Sequence, residues 1–138
     1  YLFLTKRPEE IAFSTSLDNA WFGVTVTSCG EKGRIAALRE HIRGGHYHAT
    51  FEPMFDDIGP VDLTGMEWIV IGTETGRRKG KSVSRPEWVW SITHQAHAKG
   101  IPVFMKEDLL PIMGEEQMIQ ELPPAFCRVL EAQRIWRK

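Results

Sequence analysis

The stretch Trp68-Ile69-Val70-Ile71-Gly72-Thr73-Glu74-Thr75-Gly76 decides the fold. Four bulky apolar residues follow one another without alternation, and the run stops at a glycine-flanked polar turn. A strand with one wet face alternates apolar and polar residues. One covered on both faces reads as an unbroken apolar run, which is the habit of parallel sheets in α/β proteins. The same phrase recurs on either side of this stretch. Tyr1-Leu2-Phe3-Leu4 runs into Thr5-Lys6, and Trp21-Phe22-Gly23-Val24-Thr25-Val26 into Thr27-Ser28. Ala49-Thr50-Phe51 stops at Glu52, and Val103-Phe104-Met105 at Lys106-Glu107. The intervals between these stops suit crossovers of a βαβ kind, which take ~30 residues.

Helical signals fall between the strands. Ser84 followed by Glu87 reads as a capping box, with Pro86 in the first turn, where its missing N–H costs nothing. Val89, Ile92 and Ala96 then recur at helical spacing, and Gly100 closes the helix as a left-handed cap. A second helix is predicted over Lys32–Ile42 on the stripe Ile35, Leu38 and Ile42. A shorter one is predicted from Pro8 to about Phe13. The tail from Ala125 to Trp136 also reads as helical, with Phe126, Val129, Leu130 and Trp136 as its apolar contacts. Pro53 to Gly65 reads as loop.

Strand, helix, strand in that order predicts an α/β fold of mostly parallel strands forming a single domain over 1–138. Right-handed crossovers then bring every strand's carboxyl end to one rim. In such sheets ligands are handled at that rim. It would gather Lys6, Arg7, Thr27, Ser28, Glu52, Glu74 and Lys106. Glu52 and Glu74 have the chemistry to bind a cation, accept hydrogen bonds from an amine or ribose, or act as general bases. Lys6 and Lys106 suit a carboxylate or phosphate, and equally suit neutralising the glutamates as structural pairs that close the rim. The turn Gly72–Gly76 is neither a GxGxxG nor a GxxxxGK[ST] loop, so its reading is a tight turn that supports Glu74.

Composition narrows the function class. With 138 residues, 42% hydrophobic and 25% charged, the chain is long enough for one core and too apolar to be disordered. A net charge of -1 gives no global attraction to nucleic acid or anionic membranes. The local run Arg77, Arg78, Lys79 and Lys81 is the one basic cluster that could meet nucleic acid. No apolar run approaches the ~20 residues of a membrane span. Cys29 and Cys127, far apart and outside CxxC spacing, fit a reduced cytoplasmic protein and exclude a metal site built on cysteines alone. His46 and His48 flank Tyr47 just before a strand, and His94 and His97 could share a helix face. Neither pair belongs to an HExxH motif.

Several of these phrases together resemble an uncharacterised phage-type family related to radical-SAM enzymes, and more distantly spore photoproduct lyase. They are Phe3-Leu4-Thr5-Lys6-Arg7-Pro8-Glu9, Asn19–Val26, Phe51-Glu52-Pro53-Met54, Trp68–Gly76, Pro86-Glu87-Trp88-Val89 and Gly100–Lys106. They occur in order across most of residues 1–108. The resemblance implies a partial TIM-like (β/α) barrel. The first strands would be missing, so that this chain is the C-terminal part of a larger barrel, inactive alone. A preceding segment or a partner chain would then cover the open sheet edge. Radical-SAM relatives hold an iron–sulfur cluster on three closely spaced cysteines and cleave S-adenosylmethionine at it. By similarity Lys6, Thr25, Glu52 and Glu74 are rim residues of that cavity, with Gly72 beside them. The chain departs from the pattern in having no cysteine triplet. It also has Gly72-Thr73-Glu74-Thr75-Gly76 where relatives often have Gly-Gly-Glu-Ser-Gly, and Glu107-Asp108 where they often place an aromatic and a glycine.

Three functions compete at this point. One is the C-terminal part of a radical-SAM-like enzyme, its cluster and S-adenosylmethionine belonging to a longer protein. Another is a non-catalytic scaffold for a protein or nucleic-acid partner. The third is a cluster-independent enzyme using Glu52 or Glu74 as base.

Overall fold

The computed structural model describes residues 1–128. Its centre is a five-stranded sheet in which every pairing is parallel. The strands are β1 (Leu2–Thr5), β3 (Trp21–Thr25), β5 (His46–Phe51), β6 (Trp68–Ile71) and β7 (Val103–Met105), hydrogen-bonded in that order. Spatial order therefore equals chain order. Two short strands, β2 (Phe13–Ser14) and β4 (Ile42–Arg43), pair beside it. The α/β reading of the apolar runs holds.

The helices are α1 (Gly33–His41), α2 (Pro86–Ala98) and the short α3 (Leu110–Met113). Ile35 and Leu38 of α1 and Val89, Ile92 and Ala96 of α2 share one core with Val24, Val26, Ala49, Phe51, Ile69, Ile71, Val103 and Met105. Because side chains alternate along a strand, these sheet residues define one face. Burying a Leu or Ile there stabilises by about 1.5–3 kcal/mol per side chain. The register sets the other face. Leu4, Gly23, His48 and Trp68 form one row; Thr25, Thr50, Val70 and Phe104 form the next. Beyond them, past the strand ends, come Glu52, Gly72 and Lys106.

Several expectations are corrected. The capping box does not form: Arg85 is the N-cap, and the Ser84 hydroxyl instead donates to the Gly72 carbonyl (3.2 Å) and accepts from the Met54 N–H (3.2 Å). The Pro8 helix is a single 3-10 turn, Pro8–Glu10, and Phe13 belongs to β2. Helix α1 stops at His41, and Ile42 leaves the helix to pair with Phe13. His46 and His48 lie within β5 rather than before it. Gly100 takes the left-handed φ of 70° expected of it. The tail is helical from 124 to 128; Val129, Leu130 and Trp136 lie outside the described residues.

The two edges of the sheet differ. At β7, residues 118–121 return antiparallel: Met105 N–H donates to the Ile119 carbonyl (2.7 Å), and Glu121 N–H to that of Val103 (2.8 Å). At β1 the outer edge pairs with no strand among the described residues, and Tyr1, Leu2, Phe3 and Leu4 are all more than half exposed.

Candidate functional site

The rim is organised around β5. Glu52 follows that strand and Lys106 follows β7, and the Lys106 ammonium donates to Glu52 Oε1 across the intervening strand. Asp108 Oδ2 stands 3.7 Å from the same ammonium, while its Oδ1 accepts the Thr73 N–H at 3.1 Å. Burial works against the charge on Lys106, but Glu52 and Asp108 outweigh it and hold its pKa above the ordinary lysine value. Gly72 lies between the two strands. A Cβ there would stand 2.8 Å from Glu52 Cδ, so the glycine is the space into which the carboxylate folds. Its role is room for a side chain of this chain, not a phosphate loop.

Glu74 plays a different part. Both its oxygens accept from Arg78, at 2.8 Å each, and Oε2 also takes the Ser82 N–H at 2.9 Å. The Arg78 guanidinium and the Ser82 amide hold its pKa down to about 2. A carboxylate so held is a poor base near neutral pH, and Glu74 serves to close the loop that follows it. Arg78 is thereby engaged, and Lys81 reaches the Gly76 carbonyl at 3.4 Å. Two of the four residues in the basic run thus bond within their own loop.

Lys6 is exposed at the end of β1 and makes no ion pair among the described residues. It lies two strands from Glu52, about 10 Å at ordinary strand spacing. Thr25 ends β3, buried, and its carbonyl accepts from Arg34 Nη1 at 2.8 Å. Arg34 is braced by Glu31 at 2.7 Å, and Glu31 also accepts from the Thr27 amide and hydroxyl. This network seals the end of β3.

Two features were not read from the sequence. Asp108 belongs with Glu52 and Lys106, a grouping that only the paired strand ends create. His48 lies deeper on the same face, 2% exposed, and its Nδ1 has no hydrogen-bond partner among the described residues. Burial pulls its pKa down to about 4, against a hydrogen bond with the Phe22 backbone that works the other way. Below it, Trp68 meets Trp21, Phe104 and Phe126 at centroid distances of 6.4, 6.1 and 5.1 Å, and Phe126 also meets Trp21 at 4.8 Å. The other histidines part company: His94 stacks on Trp90, and His97 bonds Glu121 at 2.9 Å.

Residues 1–134, nearly the whole chain and all of this rim, match a family described as "Protein of unknown function (DUF5131)". The chain belongs to that family. No curated protein and no solved structure matches it. What the rim of this DUF5131 chain does therefore rests on its own chemistry. A carboxylate and an ammonium, both partly exposed, stand together at the carboxyl ends of parallel strands. No helix among the described residues is long and apolar enough to cross a membrane.

Proposed function

We propose that this chain supplies part of the cavity of a radical-SAM-like enzyme with a partial TIM-like barrel, and that Glu52 and Lys106 hold the zwitterionic end of a small molecule there. The observation that carries the reading is the Glu52–Lys106–Asp108 group at the strand ends. A carboxylate suits a ligand ammonium and an ammonium suits a ligand carboxylate. The methionyl end of S-adenosylmethionine offers both. Spatial strand order equal to chain order, with the core on one face, supports a barrel sector.

The residues present do not fit an iron–sulfur cluster. Cys29 follows the carboxyl end of β3, whereas Cys127 adjoins Phe126, which packs on Trp21 at the other end of that strand. Two thiols at opposite ends of a sheet cannot make a triplet, so no radical step passes through this chain's own side chains. What the reading asks of them is binding. The bare edge of β1 supports the further expectation that one more strand, from a preceding segment or a partner chain, completes the sheet.

Calorimetric titration with S-adenosylhomocysteine tests the site. Saturable binding that falls at least tenfold in Glu52→Gln and in Lys106→Met is expected; this corresponds to the ~1.4 kcal/mol or more of a charge-assisted hydrogen bond. Absence of binding, or binding indifferent to both substitutions, would overturn the reading.

A further inference from the structure

We infer that the loop between β6 and α2, residues 73–85, is a surface for single-stranded nucleic acid: its cations meet the phosphates, and Arg85, held over Trp88, is a platform for one base. The inference concerns a part of the rim that the reading of Glu52 and Lys106 leaves unused, and it does not rest on that reading.

Residues 73–85 hold five basic side chains, Arg77, Arg78, Lys79, Lys81 and Arg85, and one acidic one, Glu74. The whole chain has a net charge of -1, so this loop is positive against a body that is net acidic. Glu74 is already engaged, since Arg78 grips both its oxygens. Arg77, Lys79 and Arg85 are exposed and make no ion pair among the described residues. Other cations near the strand ends are answered by an acid of their own: Arg7 by Glu10, Arg34 by Glu31, Lys106 by Glu52.

Bonds within the loop hold these charges together. The Ser84 N–H donates to the Thr73 hydroxyl at 3.0 Å, which joins the two ends. Glu74 ties the Ser82 N–H to the same end. The Lys81 ammonium reaches back to the Gly76 carbonyl at 3.4 Å, which sets it beside the peptide that leads into Arg77. Compact loops with joined ends are frequently functional. Crowded like charges repel, and closing this loop takes only Arg78 among its arginines. The other cations are surplus to the loop's own structure and suit a partner with several anions in a row.

The end of the loop favours nucleic acid over an acidic protein segment. The Arg85 guanidinium stands over the Trp88 ring, 5.1 Å from its centroid. Cation and ring attract one another, and a guanidinium plane so held is a surface on which an unpaired base stacks. Phosphate contacts beside such a stacking surface are the make-up of single-strand sites that tolerate any sequence. An acidic peptide uses the charges but has no base to stack.

Fluorescence anisotropy of the full chain with a labelled deoxythymidine strand of about twelve nucleotides tests this. Association should weaken as salt rises from about 50 to 200 mM, with a log–log slope near -0.7 for each phosphate held. The double variant Arg77→Gln, Lys79→Gln should make the slope shallower by about 1.4, the share of two phosphates. Arg85→Lys keeps the charge and removes the plane. It should weaken binding about fivefold, the lower end for one base stack, with the slope unchanged. Arg43→Gln, Lys99→Gln removes as much charge from exposed residues outside the loop and should leave the slope as it is. Thermal melting of each variant checks its fold. No binding at about 50 mM salt, or equal effects of the two double variants, overturns the inference. Poly-glutamate that binds as tightly as the strand, or an Arg85→Lys affinity equal to the parent's, overturns it in favour of an acidic protein partner.

Discussion

The ring of His48 occupies the place where residue 23 would carry a side chain. A Cβ on Gly23 would overlap the imidazole, which reaches across from the neighbouring strand β5 in register with it. Gly72 and Glu52 repeat the arrangement at the rim. In each case a glycine in or just after one strand makes room for a polar side chain in or just after β5. A glycine within a strand weakens it and marks a close approach of other atoms, and both of these glycines do so for that reason.

Gly23→Ala should therefore destabilise the fold by about 1–3 kcal/mol, the cost of overpacking. The loss should shrink in the double variant Gly23→Ala, His48→Ala, since the truncated side chain no longer opposes the methyl. A denaturant double-mutant cycle reads the coupling. Additive losses would show that Gly23 matters for some other reason.

Buried His48 also gives the fold an acid limb. The unfolded chain takes up a proton near pH 6.5, but folded His48 refuses it until about pH 4. Stability therefore falls as pH drops through that interval, by a total of about 3 kcal/mol for a shift of this size. His48→Leu should flatten the difference between pH 7 and pH 4 relative to the parent. Equal slopes in the two proteins would mean that His48 is protonated in the fold.

How much of this was legible beforehand follows from which interactions are local. Unbroken apolar runs mark buried strands whatever their neighbours, so β1, β3, β6 and β7 could be read, as could α2 and its glycine stop. The start of β5 could not. His46-Tyr47-His48 looks polar until Gly23, 25 residues earlier in the sequence, is known to lie alongside. The same limit explains Ser84. Its spacing to Glu87 satisfies the local rule for a cap, but its hydroxyl is taken by Gly72 and Met54 from two other loops. At the rim the residues could be named beforehand, but not their partners. Which lysine meets which glutamate depends on strand order, and Asp108 joins the group only because the chain turns immediately after β7.

The Glu52–Lys106 pair should matter more for binding than for folding. Lys106 keeps 41% of its side chain exposed and Glu52 keeps 26%, so solvent screens the pair and its loss should cost about 1 kcal/mol or less of stability. Glu52→Gln is thus expected to melt within a few degrees of the parent while ligand affinity falls at least tenfold. A large loss of stability with unchanged affinity would make the pair a structural clasp and remove the site.

The two sheet edges lead to a prediction about solubility. Residues 118–121 cover the β7 edge, whereas β1 presents an uncharged Leu2–Thr5 run with nothing paired on its outer side among the described residues. A charge on an edge strand discourages further pairing. Leu4→Lys, at a half-exposed position, should reduce self-association in light scattering with little change in melting temperature. Phe22→Ala, on the neighbouring strand where the buried ring stacks on Phe3, should cost about 3 kcal/mol. Unchanged association in Leu4→Lys would show that the β1 edge is not a pairing surface.

Glu74 and Arg78 set the order of the loop between β6 and α2. The pair is bidentate and is joined by the Ser82 amide, so one carboxylate ties residue 74 to both 78 and 82. Because its pKa is lowered, to about 2, the tie is fully present above the ordinary carboxylate range near 4.5 and is lost only as pH falls through about 2. Loop order should thus be constant from pH 7 to pH 5. Glu74→Gln keeps the shape but not the charge, and it releases Arg78 together with the backbone at Ser82. Locally opened segments are the ones proteases cut first. Trypsin should cleave Glu74→Gln within residues 77–81 several times faster than the parent at pH 8, with the melting temperature nearly unchanged. Equal cleavage rates would mean that the loop is held by Ser84 and Thr73 alone, and that the Glu74 carboxylate is available for some other use.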